Sequence, residues 1–238
     1  CQTLFSITMR TPGDDKNLVL GLLHADGVIR TVQDINELKY QESGHQGELL
    51  HHNQIDVFFK SGITPNHQLF QRQVAGNSSC GVCGKTSIKA IEMSLQGELD
   101  LTESWLSPQL VSQLPDKLRE KQTLFEQTGG VHGVGLFNSQ GELLTIKEDV
   151  GRHNALDKVL GFALSQEIDL SQSVIVLSGR VSFELVQKCV LASVPAIVAV
   201  GAPSNLAIST AQRFNLTLIG FCANQSMNIY HGDWRIIK

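Results

Sequence analysis

The sequence predicts an α/β protein whose second half forms a layered mixed sheet, and three observations favour this fold class. Between residues 173 and 220, three short apolar segments alternate with two segments of helical periodicity. The first segment, Val174-Ile175-Val176-Leu177, contains no polar residue, which is typical of a strand covered on both faces. Upstream of it, residues 133–138 and 143–148 form a hairpin pattern about Ser139-Gln140-Gly141.

The three later strands are expected to be parallel. They are predicted at residues 173–178, 195–200 and 216–220, with helices at 154–164, 182–192 and 204–214. Parallel neighbours need a crossover of about this length, and such crossovers are right-handed. Upstream of the hairpin, Ser107-Pro108 marks the start of a short helix. Pro115 is predicted to open another helix, which ends at Gly129-Gly130.

These patterns divide the chain into three parts. Residues 1–77 form a smaller N-terminal α+β or β-rich section, with a helix at 16–23 and a strand at 55–60 between turn signals. Residues 78–106 hold a Cys-x-x-Cys loop and its connection. Residues 107–238 form the three-layer α/β core, which is expected to bind the ligand.

Composition and charge exclude several classes of function. The 238 residues carry a formal net charge of -4 without a local run of Lys or Arg, so nucleic-acid binding is not expected. No apolar stretch approaches the roughly 20 residues of a membrane helix, so no membrane span is expected. Five cysteines with one close pair favour a reducing compartment over a secreted disulfide framework. The start at Cys1 is interpreted as an ordered core that begins partway along a longer gene product.

The loops after the three parallel strands are candidate ligand contacts, because ligands of open α/β sheets bind beyond the carboxyl ends of the strands. These loops are Gly179-Arg180, Gly201-Ala202-Pro203-Ser204 and residues 220–226. The first two lead into helices, whose N-terminal N–H groups favour an anion, and Arg180 adds a cation. Taken alone, each glycine is better explained as a turn residue, but their coincidence on one edge favours a phosphate-bearing ligand.

A second polar cluster spans the change from the hairpin to the next helix. It reads Glu148-Asp149-Val150-Gly151-Arg152-His153-Asn154, and Thr128-Gly129-Gly130-Val131-His132 precedes it. So many charged groups in one turn are expected to be exposed or to line a ligand, and Arg152 and His153 are candidates for phosphate or pterin contacts. The alternatives are that Asp149 or Asn154 caps the helix, and that His132 is a histidine at the edge of the core, satisfied by the backbone.

One pair of cysteines indicates covalent chemistry. Cys80 and Cys83 are separated by two residues in a glycine-rich segment, next to Lys85. A neighbouring cation favours the nucleophilic thiolate, and a glycine-rich loop provides the mobility that a persulfide carrier needs. Three alternatives remain open: a structural zinc site that would also need Cys189 or Cys222, a thioredoxin-type disulfide, and purely structural cysteines.

Several longer motifs resemble a known family. They are Ser78-Ser79-Cys80-Gly81-Val82-Cys83-Gly84-Lys85, the string EDVGRHNALDK at 148–158, Gly179-Arg180-Val181-Ser182-Phe183-Glu184, and the late Gly220-Phe221 and Asn228-Ile229-Tyr230. Together, and in this order over nearly the whole chain, they resemble the FdhD family of formate dehydrogenase accessory proteins, also called FdhD/NarQ. The string at 148–158 is far more specific than the cysteine pair.

The resemblance implies a cytidine-deaminase-like fold, a homodimer and a cytoplasmic sulfurtransferase. Such proteins pass persulfide sulfur from a cysteine desulfurase to the molybdenum cofactor, bis-molybdopterin guanine dinucleotide, which formate dehydrogenase requires. On this resemblance Cys80 carries the persulfide, Cys83 supports it, and the protein has no metal of its own. The predicted cofactor-binding residues are Phe221, Cys222, Ala223, Asn224, Gln225, Ser226, Gly179, Arg180, Ser204, Arg152, His153 and His132.

The chain departs from related patterns in two places. After Gly220-Phe221 it reads Cys222-Ala223-Asn224, where members of the family commonly carry a basic residue, so guanine or phosphate contacts are expected to differ there. His132-Gly133-Val134 lacks the His-x-Glu motif of zinc deaminases, so deamination is not expected. The alternative function is a cofactor-binding chaperone whose cysteines are structural and which transfers no sulfur.

Overall fold

The computed structural model describes residues 3–41, 53–63, 99 and 104–237. The predicted Cys-x-x-Cys loop, with Cys80, Cys83 and Lys85, lies outside the described residues. The helices are α1 Asp15–Ala25, α2 Pro108–Arg119, α3 Thr123–Thr128, α4 Arg152–Ser165, α5 Phe183–Leu191 and α6 Asn205–Arg213. The strands are β1 Ile35–Tyr40, β2 Ile55–Phe59, β3 His132–Phe137, β4 Leu143–Asp149, β5 Val174–Leu177, β6 Ala196–Ala199, β7 Thr217–Ala223 and β8 Ser226–His231. Within these ranges no helix is both long and apolar enough to cross a bilayer.

Six strands form one mixed sheet in the order β4-β3-β5-β6-β7-β8. Strands β5, β6 and β7 are parallel, as predicted, whereas β3 pairs antiparallel with both β4 and β5. Strands β1 and β2 form a separate antiparallel pair in the N-terminal section. This arrangement confirms the predicted mixed α/β sheet, and the cytidine-deaminase-like resemblance stays a prediction.

Helices cover both faces of the six-stranded sheet. On one face α4, α5 and α6 pack against the strands, with Leu156 and Val186 fully buried. On the other face α2 packs through Val111 and Leu114. Burying such a side chain contributes roughly 1.5–3 kcal/mol, so the two faces together hold the layers in place. Strands β5 and β6 are buried at every residue, which explains why their sequences are apolar without alternation.

Helix α1 joins the N-terminal section to this core by packing closely against α4. A Cβ atom at Gly21 would collide with the main-chain carbonyl group of Asp157, and one at Gly161 would collide with that of Asn17. Because no side chain fits between the two backbones, glycine is required at both positions. The helical layer therefore contains a fixed contact that positions the start of the chain beside α4.

Two sequence predictions of local structure were wrong. Pro115 does not open a helix but lies inside α2, where it is buried on the same apolar face as Val111 and Leu118. Burial of that face outweighs the one hydrogen bond that a proline removes from a helix. The separate short helix α3 begins at Thr123 and ends, as predicted, at Gly129, whose φ of 64° is left-handed.

The second error concerns the last predicted loop. Residues 220–226 do not follow a strand, because β7 continues to Ala223 and pairs antiparallel with the unpredicted strand β8. Asn224 and Gln225 form the turn between them, with φ values of 50° and 61°. Asn tolerates this left-handed conformation, so Asn224 was the available sequence signal for a hairpin.

Candidate ligand-binding edge of the sheet

The loops after β5 and β6 lie against each other at one end of the sheet, as the sequence predicts. The main-chain N–H of Val181 donates to the carbonyl of Ala202 at 3.0 Å, and the N–H of Gly201 donates to that of Gly179 at 3.2 Å. A Cβ atom at Gly201 would lie 2.8 Å from the main-chain nitrogen of Arg180, so this position requires glycine. The two loops therefore form one continuous rim.

Strand β3 brings His132 to the same rim. Because β3 is antiparallel to β5, its first residue lies where β5 ends, and a Cβ atom at Gly179 would be 3.4 Å from Nδ1 of His132. Burial lowers the pKa of His132, and the charges of Arg152 and Arg180 lower it further. Both guanidinium groups are therefore near this ring. We call His132, Arg152, His153, Gly179, Arg180, Ser182 and Ser204 the carboxyl edge.

Three helices begin at the carboxyl edge, one more than the sequence analysis predicted. Helix α4 begins at Arg152, α5 follows Ser182, and α6 follows Ser204. The hydroxyl of Ser204 accepts a hydrogen bond from the N–H of Ala207 at 3.2 Å, so it caps α6. The positive ends of three helix dipoles converge on this edge, which favours a bound anion.

Neither arginine of the carboxyl edge forms a close ion pair with a described residue, although Arg152 interacts electrostatically with the Glu184 carboxylate. Among the ion pairs within 4.0 Å in the described part of the chain, none includes Arg152 or Arg180. The Nε atom of Arg152 is buried and has no hydrogen-bond partner. A buried donor without a partner costs roughly 1–3 kcal/mol, so an anionic ligand that accepts from it would recover that energy. The edge is suited to phosphate oxygens, which guanidinium groups bind in bidentate fashion.

His153 links α4 to the start of α5. Its Nε2 lies 3.1 Å from the hydroxyl oxygen of Ser182 and 3.9 Å from a carboxylate oxygen of Glu184. The sequence analysis did not assign Ser182 or Glu184 to the site, although both belong to the motif that follows Gly179. Burial lowers the pKa of His153 to about 4, with a further contribution from Arg152. His153 is therefore neutral at physiological pH and presents a hydrogen-bonding ring near Arg152.

We expect the ring of His153 to titrate with a midpoint near pH 4 instead of its ordinary value of 6.5. The unfolded chain binds more protons between these two values, so stability from this group is present above pH 6.5 and is lost as pH falls toward 4. Nuclear magnetic resonance of the ring carbon-bound protons measures the midpoint. In Arg152→Gln the midpoint should rise, and an unshifted midpoint near 6.5 in both proteins would contradict the assignment.

In the polar segment 148–158, some side chains point into the core and others point toward the carboxyl edge. Asp149 is fully buried and accepts from the N–H of Thr11 at 3.0 Å and from Nζ of Lys158 at 2.8 Å. It also accepts from the N–H of Gly151 at 2.9 Å and from the Asn154 amide at 3.1 Å. Neither Asp149 nor Asn154 caps α4, whose N-cap is Gly151 without a side-chain bond. The inward residues therefore hold the turn that presents Arg152 and His153.

Glu148 acts on the segment that leads to His132. Its two carboxylate oxygens accept from the N–H groups of Leu124 and Phe125, both at 2.8 Å. These are otherwise unpaired donors of the first turn of α3, so a carboxylate from β4 satisfies them. Glu148 thereby fixes the helix that precedes β3, and both of its carboxylate oxygens are engaged in doing so.

The predicted segment 221–226 projects from the carboxyl edge as a hairpin. A Cβ atom at Gly220 would lie 2.9 Å from Cδ of Pro203, which places the end of β7 beside the second loop. The Phe221 ring is 49% exposed, on a backbone with a left-handed φ of 50°. Cys222, in contrast, is fully buried, with Sγ 3.5 Å from the carbonyl of Val111. The side chain of Cys222 faces α2, on the same side of the sheet as Ile219, because the left-handed residue Phe221 and the irregular register after Gly220 interrupt the alternation of the strand. Contact between Cys222 and the ligand stays a prediction.

The two described cysteines, Cys189 and Cys222, lie too far apart in the fold to bind the same zinc ion. Cys189 lies in the apolar layer of α4, α5 and α6, whereas Cys222 lies in the layer of α2, on the other face of the sheet. Burial raises the pKa of both thiols, that of Cys222 to about 11. Among the described residues, no group of His, Cys, Asp or Glu side chains is placed to hold a metal ion. The two cysteines cannot complete one zinc site together.

The fold and this edge define a three-layer α/β protein with two arginines and three helix N-termini at one edge of its sheet. The chain belongs to the FdhD/NarQ family, whose model matches residues 2–237. It is 43% identical over 97% of its length to a sulfur carrier protein FdhD of Streptomyces avermitilis, covering 83% of that relative. A sulfur carrier protein FdhD of Saccharolobus solfataricus is 42% identical, with 98% and 83% covered.

A solved structure has the same fold. The crystal structure of a protein described as a formate dehydrogenase accessory protein, from Desulfotalea psychrophila, matches with a TM-score of 0.71 and 25% identity. The match covers 97% of this chain and 83% of the other. The family drawn from the sequence motifs is therefore confirmed, as is the mixed α/β fold.

Proposed function

We propose that the protein is a cytoplasmic, homodimeric sulfur carrier that receives persulfide sulfur from a cysteine desulfurase and delivers it to the molybdenum cofactor of formate dehydrogenase. The observation that carries the proposal is the 43% identity, over 97% of the chain, to a protein named as a sulfur carrier. The acceptor would be bis-molybdopterin guanine dinucleotide, bound as a substrate at the carboxyl edge. Cys80 would carry the sulfur, with Cys83 in support.

The choice of cysteine is supported by the chemistry of the other thiols. Cys189 and Cys222 are fully buried, and their raised pKa values leave almost no thiolate at neutral pH. Cys80 lies in a glycine-rich sequence close to Lys85, which favours the thiolate. The thiolate of Cys80 attacks the outer sulfur of the desulfurase persulfide. The S–S bond to the desulfurase breaks, its cysteine leaves as a thiolate, and the persulfide is then on Cys80.

The carboxyl edge supports binding of the acceptor. Each guanine dinucleotide arm of the cofactor carries a diphosphate, and the edge offers Arg152, Arg180 and the N-termini of α4, α5 and α6. His132 and His153 have lowered pKa values, so they supply neutral donors or acceptors. The exposed ring of Phe221, beside the second loop, offers a flat surface for a base.

We expect Arg152→Gln with Arg180→Gln to weaken binding of guanosine diphosphate by roughly 10- to 100-fold, because two charge-assisted contacts to phosphate are lost. Calorimetric titration at fixed salt measures the change. A matched variant, Arg30→Gln with Lys60→Gln, removes the same charge from exposed positions beside Asp34 in the N-terminal section and should bind as the unchanged protein does. If both variants bind guanosine diphosphate equally weakly, the loss reflects only the net charge of the protein, and the carboxyl edge is not the binding site.

The experiment that tests sulfur carriage is incubation with a cysteine desulfurase and cysteine, followed by mass spectrometry of the intact protein and its peptides. One added sulfur atom is expected on the peptide that contains Cys80, and none on the peptides of Cys189 or Cys222. Nucleotide binding without added sulfur would instead favour a cofactor-binding chaperone with structural cysteines.

A further inference from the structure

A cavity lies at the end of the sheet opposite to the carboxyl edge. It has a volume of about 390 Å³ and is bordered by the segments that lead into β5 and β6, together with residues 31–33. This volume is within the range of small-ligand sites, roughly 300–1,000 Å³. We call it the amino-end cavity, because it opens at the amino ends of the parallel strands.

The walls of the amino-end cavity combine an apolar floor with an acidic rim. Leu160, Leu164 and Ala192 form part of the floor. Glu167 and Asp169 supply two carboxylates, and among the described residues that line the cavity none is Lys or Arg. The remaining polar groups are uncharged hydroxyls, one amide and His24, whose pKa is lowered by burial. The cavity therefore carries net negative charge above an apolar surface.

Three helices end at this cavity. His24 is in the last turn of α1, residues 163 and 164 are in the last turn of α4, and Ala192 follows the end of α5. Helices α4 and α5 begin at the carboxyl edge and end here, so the dipoles that favour an anion at one end favour a cation at the other. The partial negative charge at the helix C-termini thus adds to that of the two carboxylates.

Neutral donors hold both carboxylates of the rim in place. Gln33 Nε2 donates to Glu167 at 2.9 Å, and Asp169 accepts from the N–H and the hydroxyl of Ser171 at 2.9 and 3.0 Å. These bonds orient the carboxylates without cancelling their charge. Glu167 follows the C-cap of α4, and its left-handed φ of 52° belongs to the turn that ends this helix, in which the N–H of Ile168 donates to the carbonyl of Ala163 at 3.0 Å.

We propose that the amino-end cavity receives a lysine or arginine side chain from a partner protein. The methylene groups of such a side chain fit the apolar floor, and its terminal cation complements the rim of Glu167 and Asp169. A protein is the occupant that suits the position, because a partner anchored at this end leaves the carboxyl edge open to its own ligand. The inference uses none of the residues of the proposed sulfur-carrier site.

The first test is a titration with n-butylguanidinium, in which binding is monitored by the nuclear magnetic resonance shifts of the methyl groups of Leu164 and Ala192. Saturable shifts are expected with this cation and not with butyrate. Glu167→Gln with Asp169→Gln should weaken binding at least about 5-fold, since the local charge is lost. The control, Glu37→Gln with Glu120→Gln, removes the same charge from exposed sites elsewhere and should bind normally. Equal weakening in the control, or equal binding of butyrate, would overturn the proposal.

The second test asks whether a protein segment can use the cavity. A capped amphipathic peptide of lysine and leucine should compete with n-butylguanidinium, and the same peptide with glutamate in place of lysine should not. Val32→Trp fills the cavity from its wall while keeping both carboxylates, so it should abolish both interactions. Cation binding without competition by the lysine peptide would identify a site for free small cations and contradict the docking role. Absence of sulfur on Cys80 in a protein that still binds the peptide would contradict only the proposed function.

Discussion

Replacing Cys80 with alanine is expected to lower activation of formate dehydrogenase by at least about 100-fold, because Cys80 is the proposed persulfide carrier and the two described thiols, Cys189 and Cys222, are buried with raised pKa values. The measurement is formate oxidation in cells that lack their own sulfur carrier and are supplied with the variant. Cys83→Ala should reduce activation by a smaller factor, since the proposed role of Cys83 is supporting.

The matched control for this result is Cys189→Ala. Cys189 is fully buried in the helical layer, and its loss removes one thiol without touching the carboxyl edge. Activation should persist in that variant, with at most a modest loss of stability from the smaller side chain. If Cys80→Ala activates the enzyme as well as Cys189→Ala does, the persulfide is carried elsewhere and the proposed role of Cys80 is wrong.

Replacing Asp149 with asparagine is expected to lower the free energy of unfolding by roughly 3–5 kcal/mol, because it leaves the ammonium group of Lys158 buried without its charged partner. The ion pair is 2.8 Å long, with side chains that are 3% and 0% exposed. Thr11 and Gly151 donate to different oxygens of Asp149, so the NH2 group of asparagine would also remove the acceptor of one of these two N–H groups. Urea unfolding followed by circular dichroism measures the loss.

A surface ion pair in the same region provides the comparison. Asp14 lies 2.9 Å from Lys147 and its side chain is 42% exposed, so Asp14→Asn should cost less than about 1 kcal/mol. In the double variant Asp149→Asn with Lys158→Met, the uncompensated charge is gone, and part of the stability should return. If Asp149→Asn lowers the free energy of unfolding by no more than Asp14→Asn does, burial of the Asp149–Lys158 pair does not make its disruption more costly.

The network around Asp149 also connects stability to the proposed site. Asn154 accepts from the hydroxyl of Thr8 at 3.1 Å and donates to the carbonyl of Met9 at 2.7 Å, while Lys158 donates to that of Thr11 at 2.8 Å. The start of the chain is therefore bound to the first turns of α4. Because Arg152 and His153 stand on the same turns, loss of this network should disturb ligand binding as well as folding.

The sequence by itself determined the order of the later strands and helices, the rim at their carboxyl ends and the family. These features depend on local signals: the continuous apolar runs of β5 and β6, the helix starts at Ser182 and Ser204, and motifs read along the chain. The prediction that the loops after β5 and β6 share an edge followed from the parallel direction of these strands, which the connection lengths indicate, whereas the position of His132 at that edge became clear only from the pairing of β3 with β5.

Only the tertiary structure decided which side chains of the motifs point toward a ligand and which point toward the core. Asp149 and Arg152 are three residues apart in one charged string, yet one is buried in an ion pair and the other stands at the open edge. Likewise Phe221 is exposed, whereas its neighbour Cys222 is buried against α2. Periodicity is a property of a short segment, but burial depends on strands and helices distant in sequence. The direction of each side chain is therefore set when the layers pack.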